Sequence, residues 1–190
     1  MIRDINKIDD DIIRKKRIIA KMLYSDPDII EVLGNKDIDP TCPEEIMYKN
    51  IYPFIRVPGI QDVSGSYITY MLDDIDPGRI NSNMKSQHLK IVIFVHQDLV
   101  ETEYGAERHD VLSFLIKDIF HLSNALGLKL KLISNKEGFT DTNYCTRTLH
   151  FETITPNSMM PYQTNQYERK SIVDKQDSTL RREQVGDIHG

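Results

Sequence analysis

The spacing of apolar residues predicts helices at the start of the chain. Between positions 4 and 24, isoleucine and leucine recur at steps of three, four and seven residues: Ile5, Ile8, Ile12, Ile19 and Leu23. This spacing places them on one face of an amphipathic helix. Asp26 and Pro27 then predict the start of a second, short helix through Ile29–Leu33, and Gly34 predicts its end.

Strand patterns follow from residue 52. Tyr52–Val57 reads as a short edge strand or an irregular segment, because prolines lie inside it and directly after it. Ser66–Leu72 is rich in β-branched and aromatic residues, and Leu89–Val95 is the most apolar stretch of the chain. A strand that is apolar on both faces belongs in the middle of a sheet. The polar stretch Asp73–Gln87 between them predicts a long loop or the tip of an extended hairpin.

The second half of the chain predicts one long helix and two further strands. Glu103–Leu126 carries a wide apolar face, which is typical of an amphipathic helix. Leu128–Ile133 alternates between leucine and lysine and predicts a strand with one solvated face. Asn135–Asn143 is rich in turn residues and predicts a loop. The last strand is Tyr144–Ile154, and its expected inner face is Cys145, Leu149 and Phe151.

The order of these elements predicts an α+β fold. Residues 1–50 form an N-terminal helical segment, and residues 51–156 form the core domain. This core is a small, mostly antiparallel sheet of about four strands, packed by one long amphipathic helix. After Pro156 the periodicity stops, so residues 157–190 are expected to form an extended C-terminal arm. Such a segment cannot bury enough apolar surface alone to offset its ordering entropy, so we expect partners to order it.

Composition excludes several classes of protein. Charged residues make up 28% of the chain and the net charge is -5, which argues against a general nucleic-acid binder. No apolar run reaches the ~18 residues of a transmembrane helix. The chain begins Met1-Ile2-Arg3-Asp4 without a signal-peptide apolar region, so export is not expected. Its two cysteines, Cys42 and Cys145, form neither a disulfide framework nor a four-cysteine zinc site.

The histidines do not form a recognisable metal motif. His96, His109, His121 and His150 include no pair four residues apart and no His-Glu-x-x-His sequence. We expect them to be surface or hydrogen-bonded residues, and we expect no metal, no cofactor and no catalytic residue.

One acidic cluster leaves an enzyme open as an alternative. Asp73 and Asp74 follow one strand, and Gln87 and Lys90 begin the next. This loosely resembles the carboxylate-and-lysine arrangement of metal-dependent nucleases, in which carboxylates hold magnesium. The proline-aspartate start and the acid-x-lysine triplet of those enzymes are missing, so solvated turns are the simpler interpretation.

Three stretches between residues 50 and 155 carry a family resemblance. They are Tyr52–Pro58 leading into Tyr67–Tyr70, the buried strand Ile91–Val95, and Arg108–Leu112 followed by Leu126–Leu128. Together with the element order they resemble the small α+β proteins of the bacteriophage neck, the tail terminators and related head-tail connector proteins.

The resemblance implies a structural subunit of an oligomeric ring in the virion neck, assembled in the host cytoplasm. The role it favours is the tail terminator, which joins the tail tube to the head-tail connector; a head-closure or adaptor protein is the alternative. It implies no catalysis and no cofactor. The implied partners are copies of the same chain, the connector or adaptor and the tail tube, with DNA passing through without specific binding and without any membrane contact.

Candidate contact residues lie mainly in the C-terminal arm. Methionine and tyrosine adapt well to protein interfaces, and arginine is enriched there. The candidates for subunit or partner contact are Met159, Met160, Tyr162, Tyr167, Arg169, Arg181, Arg182, Arg79 and Lys85.

Overall fold

The computed structural model describes residues 11–35, 37–39, 42–59, 64–75, 84–103, 105–126 and 129–156. Its helices are α1 (Asp11–Tyr24), α2 (Pro27–Leu33) and α3 (Arg108–Phe120), with short 3-10 turns at Pro43–Ile46 and Gln97–Leu99. Its strands are β1 (Ile51–Tyr52), β2 (Ser66–Ile75), β3 (Met84–His96), β4 (Lys131–Phe139) and β5 (Tyr144–Pro156). The predicted α+β class is confirmed.

The strands form one five-stranded sheet in the order β1-β2-β3-β5-β4. β1 pairs with β2 in parallel, and every other pairing is antiparallel. β3 lies at the centre, as its apolar sequence predicts. The sheet has one strand more than the expected four, because the short edge segment at Tyr52 does pair with β2, as the two-residue β1.

The helices cover one face of the sheet. Alternate residues of each strand face them, and α1, α2 and α3 contribute to the same hydrophobic core. Its fully buried members include Ile19, Leu23, Ile29, Ile68, Tyr70, Leu89, Ile91, Ile93, Leu112, Ile116, Phe120, Leu149 and Phe151. The N-terminal helices are therefore packed into the core domain. Among the described helices, none has the length and apolar character needed to cross a membrane.

The predicted boundaries of α2 are confirmed. The carboxylate of Asp26 accepts hydrogen bonds from the backbone amides of Asp28 at 3.0 Å and Ile29 at 3.2 Å, which satisfies the exposed donors of the first turn. Gly34 ends the helix with a left-handed φ of 68°. The expected first turns of the preceding helix, which include Ile5 and Ile8, lie outside the described residues.

Two predicted elements are shorter in the structure. The strand expected over Tyr52–Val57 ends at Tyr52, and the chain then crosses the sheet, where the hydroxyl of Thr142 donates to the carbonyl of Pro58 at 3.0 Å. The helix expected over Glu103–Leu126 spans only Arg108–Phe120. Gly105 (φ 70°) and Leu122 (φ 62°) adopt left-handed conformations on either side, which a right-handed helix cannot include.

One predicted loop is a strand. Residues 135–139 belong to β4, which starts at Lys131 rather than at Leu128. They pair with β5 from Asn135 opposite Leu149 to Phe139 opposite Cys145. Their side chains are exposed, so the segment lacks the apolar alternation that would have indicated a strand.

The polar segment between β2 and β3 belongs to an extended hairpin. The two strands pair as far as Ile75 opposite Ser86. Residues 76–83, which include Arg79, lie outside the described residues. The same holds for the whole C-terminal arm, with Met159, Met160, Tyr162, Tyr167, Arg169, Arg181 and Arg182.

Candidate functional site

Apolar side chains are exposed around β1, at one edge of the sheet. Tyr48 and Phe54 are 65% and 47% exposed, and we call them the β1-edge patch. The rings of Tyr48 and Phe54 pack against the buried Tyr52, with ring centroids 6.5 and 5.7 Å apart. The patch therefore presents a pre-arranged apolar surface.

A second set of exposed apolar side chains lies at the opposite edge. Phe114, Ile133 and Phe139 are 64%, 45% and 63% exposed, and we call them the β4-edge patch. Ile133 sits at a bulge in β4, and Phe139 ends that strand. Phe114 lies on α3 directly after Ser113. The hydroxyl of Ser113 accepts a hydrogen bond from the side-chain amide of Asn135 in β4 at 3.0 Å. Within the described sheet, β4 pairs only with β5, so its outer edge is unpaired.

The two patches belong to different sides of the molecule. Four inter-strand spacings separate β1 from β4. At about 4.8 Å per spacing, the edges lie about 19 Å apart. A contact that pairs one patch with the other on a second copy would therefore join two different surfaces.

The sheet face opposite the helices is only partly covered. Next to residues 53–59, the side chains of Tyr67, Val92, Phe94 and Tyr144 form a small second core. The rings of Tyr67 and Tyr144 pack with centroids 6.1 Å apart. Further along the strands the face carries polar side chains and the half-exposed Ile154.

Those polar side chains form a hydrogen-bonded chain. The hydroxyl of Ser86 donates to Oε1 of Glu152 at 3.0 Å and lies 3.2 Å from Nε2 of His88. Nδ1 of His88 is 3.2 Å from Nε2 of His150. All three contacts are satisfied when each imidazole is neutral and protonated on Nε2. His150 then donates to His88, His88 donates to Ser86, and Ser86 donates to Glu152. Burial of His150, then its electrostatic interactions with His88 and Lys90, lower the pKa of His150, which favours the neutral form of that ring.

A buried ion-pair network joins α1 to the hairpin on the helix side of the sheet. Nζ of Lys85 lies 2.6 Å from Oδ2 of Asp74 and 3.1 Å from Oδ2 of Asp11. Lys85 is therefore not presented to a partner, as the sequence suggested, because it is 8% exposed and paired inside the protein. Partial burial works to raise the pKa of Asp11, but bonds from Lys15, Lys85 and Arg14 lower it to about 2. Burial lowers the pKa of Lys85, yet its two carboxylate partners raise it overall.

The four nuclease-like residues do not converge on one site, because they are divided between the two faces of the sheet. Asp73 and Asp74 are neighbours on β2, so their side chains point to opposite faces of the sheet. Both carboxylate oxygens of Asp74 are engaged, one by Lys85 and the other by the Gln87 amide at 2.6 Å. Lys90 pairs with Met71 and faces the other side, so Asp74 and Lys90 cannot share a metal-binding site.

Three of the four predicted histidines are hydrogen-bonded, as expected. His96 accepts from the Asp98 amide at 3.4 Å, His121 accepts from the Leu132 amide at 3.2 Å, and His150 contacts His88. His88 was not singled out from the sequence, although the alternation Ser86, His88, Lys90 was a signal for one polar strand face. His109 is the exception, since it is 1% exposed and neither ring nitrogen has a hydrogen-bond partner in the described structure.

Comparison with known proteins gives a family for this architecture. The profile of the YomW family matches residues 17–153, which include every described helix and strand except the first residues of α1 and the last residues of β5. No curated protein matches the chain. The match covers well over half of the 190 residues, and the chain therefore belongs to the YomW family, a phage-like Bacillus family, and is a phage-related protein.

Proposed function

We propose that this phage-related chain is a structural subunit of an oligomeric ring in the virion neck, and specifically a tail terminator that joins the tail tube to the head-tail connector. Family membership supports a role in a phage. The resemblance of three stretches to tail terminators and neck proteins supports the position. The partners in this proposal are further copies of the chain, the tube and the connector.

The observation that carries the proposal is the pair of apolar patches at opposite edges of one sheet. A closed ring is built from heterologous contacts, in which one surface of a subunit meets a different surface of the next. The β1-edge patch and the β4-edge patch are two such surfaces, with two and three exposed apolar side chains respectively. The unpaired outer edge of β4 could add backbone hydrogen bonds to this contact.

The charge of the chain fits a ring through which DNA passes. A net charge of -5 disfavours a general attraction of the chain to DNA phosphates. The C-terminal arm, residues 157–190, completes the proposal as the segment that reaches neighbouring subunits or the adjoining ring.

The assembly state tests this function. We expect native mass spectrometry to detect closed oligomers of the 190-residue chain, either alone or after addition of phage tail tubes. Phe54→Asp and Phe139→Asp, one in each patch, should each abolish these oligomers. Ile18→Glu, which changes an exposed apolar residue on α1, is the matched control and should assemble normally. A chain that stays monomeric in both conditions would refute the proposal.

Cross-linking in intact particles distinguishes the terminator from its alternative. A tail terminator should cross-link to the tail-tube protein. A head-closure or adaptor protein should cross-link only to the connector side. Absence of the chain from purified particles would contradict both positions.

A further inference from the structure

A buried imidazole faces a cluster of carboxylates where α3 begins. Nε2 of His109 lies 3.1 Å from Oε2 of Glu107 and 3.8 Å from Oε1 of Glu137. Glu107 is the residue before α3, His109 lies in its first turn, and Glu137 extends from β4. Three side chains from two separate elements of the fold thus converge on one point.

The state of His109 is an independent sign that this point binds something. The side chain is 1% exposed, and within the described structure neither of its ring nitrogens has a hydrogen-bond partner. Buried polar atoms in folded proteins are nearly always partnered. The Glu107 carboxylate is close enough to Nε2 for a hydrogen bond, but the two groups are not aligned for one.

The electrostatic balance calls for a cation of charge two. Arg147 is committed to Asp110, with Nη2 2.5 Å from Oδ1. The same Nη2 is also 3.8 Å from Oε2 of Glu137. One guanidinium cannot balance the three carboxylates of Asp110, Glu137 and Glu107, so this cluster keeps an excess of two negative charges. The negative potential of Glu107 and Glu137 extends to the nearby Cys145 thiol, whose pKa is raised by burial and then by these two charges.

We propose that Glu107, His109 and Glu137 bind a divalent transition-metal ion that fastens the start of α3 to β4. One atom from each residue lies within 4.8 Å of the others. Ligands about 2.0–2.1 Å from a tetrahedral zinc ion are about 3.3 Å from one another, so small side-chain movements close the site. Imidazole nitrogen and carboxylate oxygen are both ligands that zinc and related divalent ions accept, and three protein ligands are the number found in open zinc sites. The exposed glutamates leave the remaining positions of the ion to water.

Metal titration of the full chain without a histidine tag tests the site. We expect Zn²⁺ to bind with 1:1 stoichiometry in calorimetry and to raise the melting temperature, because binding only the folded state stabilises it. Co²⁺ should give the visible absorption of a coordinated ion. Glu107→Gln and Glu137→Gln keep the side-chain volume at exposed positions, and neither removes a helix-capping hydrogen bond. Each should weaken Zn²⁺ binding by about tenfold or more.

The control is Glu101→Gln, the same chemical change at an exposed residue earlier in the same connection, which should bind Zn²⁺ as the wild type does. Absence of binding to the folded wild-type chain at millimolar Zn²⁺ would overturn the proposal. Equal affinity in the wild type and in both glutamine variants would also overturn it, since the ion would then lie elsewhere.

Discussion

The ammonium group of Lys15 on α1 donates a hydrogen bond to Oε1 of Gln87 in β3 at 2.6 Å, across 72 residues of chain. Gln87 is fully buried, and its amide nitrogen donates to Asp74 at 2.6 Å. Lys15 also donates to Asp11 at 2.9 Å. One neutral side chain thus links a helix cation to a strand carboxylate, and α1 is joined to the hairpin by polar contacts as well as by the core.

Replacing Gln87 should lower the free energy of unfolding even when the new side chain has nearly the same volume. Gln87→Leu keeps most of the volume but leaves Lys15 and Asp74 each without one buried partner. A buried polar group that loses its hydrogen bond costs about 1–3 kcal/mol. We expect urea denaturation to show a loss of unfolding free energy in this range. Lys90→Leu, on the opposite face of the same strand, should change it by about 0.5 kcal/mol or less.

Acid should weaken the same network through Asp11. The pKa of Asp11 is lowered from 3.8 to about 2 in the folded state, so the unfolded chain takes up this proton first. The stability contributed by Asp11 is present above pH 3.8 and is lost as the pH falls through 2. Asp11→Asn should therefore differ from the wild type by about 1–2 kcal/mol at neutral pH and by less near pH 2.

The exposed Asp141→Asn serves as the control for this prediction. Its unfolding free energy should run parallel to that of the wild type between pH 7 and pH 2. A wild-type advantage over Asp11→Asn that does not shrink in acid would contradict the role given to this carboxylate.

The histidine pair should make stability depend on pH in a higher range. The folded state keeps the pKa of His150 below 6.5, so its contribution is fully present above pH 6.5 and is lost as the pH falls through the folded value. Between pH 7.5 and pH 5, we expect the wild type to lose more unfolding free energy than His150→Gln. His96→Gln leaves the pair intact and should follow the wild type. An NMR titration that gives His150 a pKa of 6.5 or above in the folded protein would contradict this prediction.

Two glycines allow backbone strain to be separated from steric contact. Gly34 and Gly105 both have left-handed φ angles, 68° and 70°. A Cβ on Gly105 would meet nothing within 4 Å, whereas on Gly34 it would lie 3.2 Å from Nη1 of Arg108. That guanidinium is held by hydrogen bonds to the carbonyls of Val32 and Leu99 and cannot move freely.

Gly105→Ala should therefore cost about 1 kcal/mol, the penalty of the left-handed conformation alone. Gly34→Ala should cost more, because it adds the contact with Arg108. Thermal or urea unfolding of the two variants measures the difference. Equal losses would indicate that Arg108 yields without cost.

The sequence predicted the elements of the core better than their ends. β3 and α2 could be placed because their signals are local: a doubly apolar run, an N-cap with proline and a terminal glycine. Gly105 lies within the expected long helix, and a glycine near the start of that segment was a local sign that the helix begins later. The sequence did not indicate where that helix ends, since Leu122 has a left-handed φ of 62°, which leucine rarely adopts.

The proposed sites depend on contacts that no local pattern encodes. Phe139 lies in the part of β4 whose exposed residues resemble a loop, so the β4-edge patch is visible only once β4 is paired. Glu107 and Glu137 are separated by a helix and a connection, and the sheet register brings them together around His109. Lys85 resembled a surface cation because its partner Asp11 comes from a helix far away in sequence.

Mixing two assembly-deficient variants gives the most specific test of the ring. Phe54→Asp has a damaged β1-edge patch and an intact β4-edge patch, and Phe139→Asp has the reverse. In a heterologous contact, the intact patch of each variant fits the intact patch of the other, and the resulting pair has no free competent surface. We therefore expect each variant alone to be monomeric and their equimolar mixture to stop at heterodimers by native mass spectrometry. Homodimers of either variant alone would indicate an isologous contact and exclude this ring geometry.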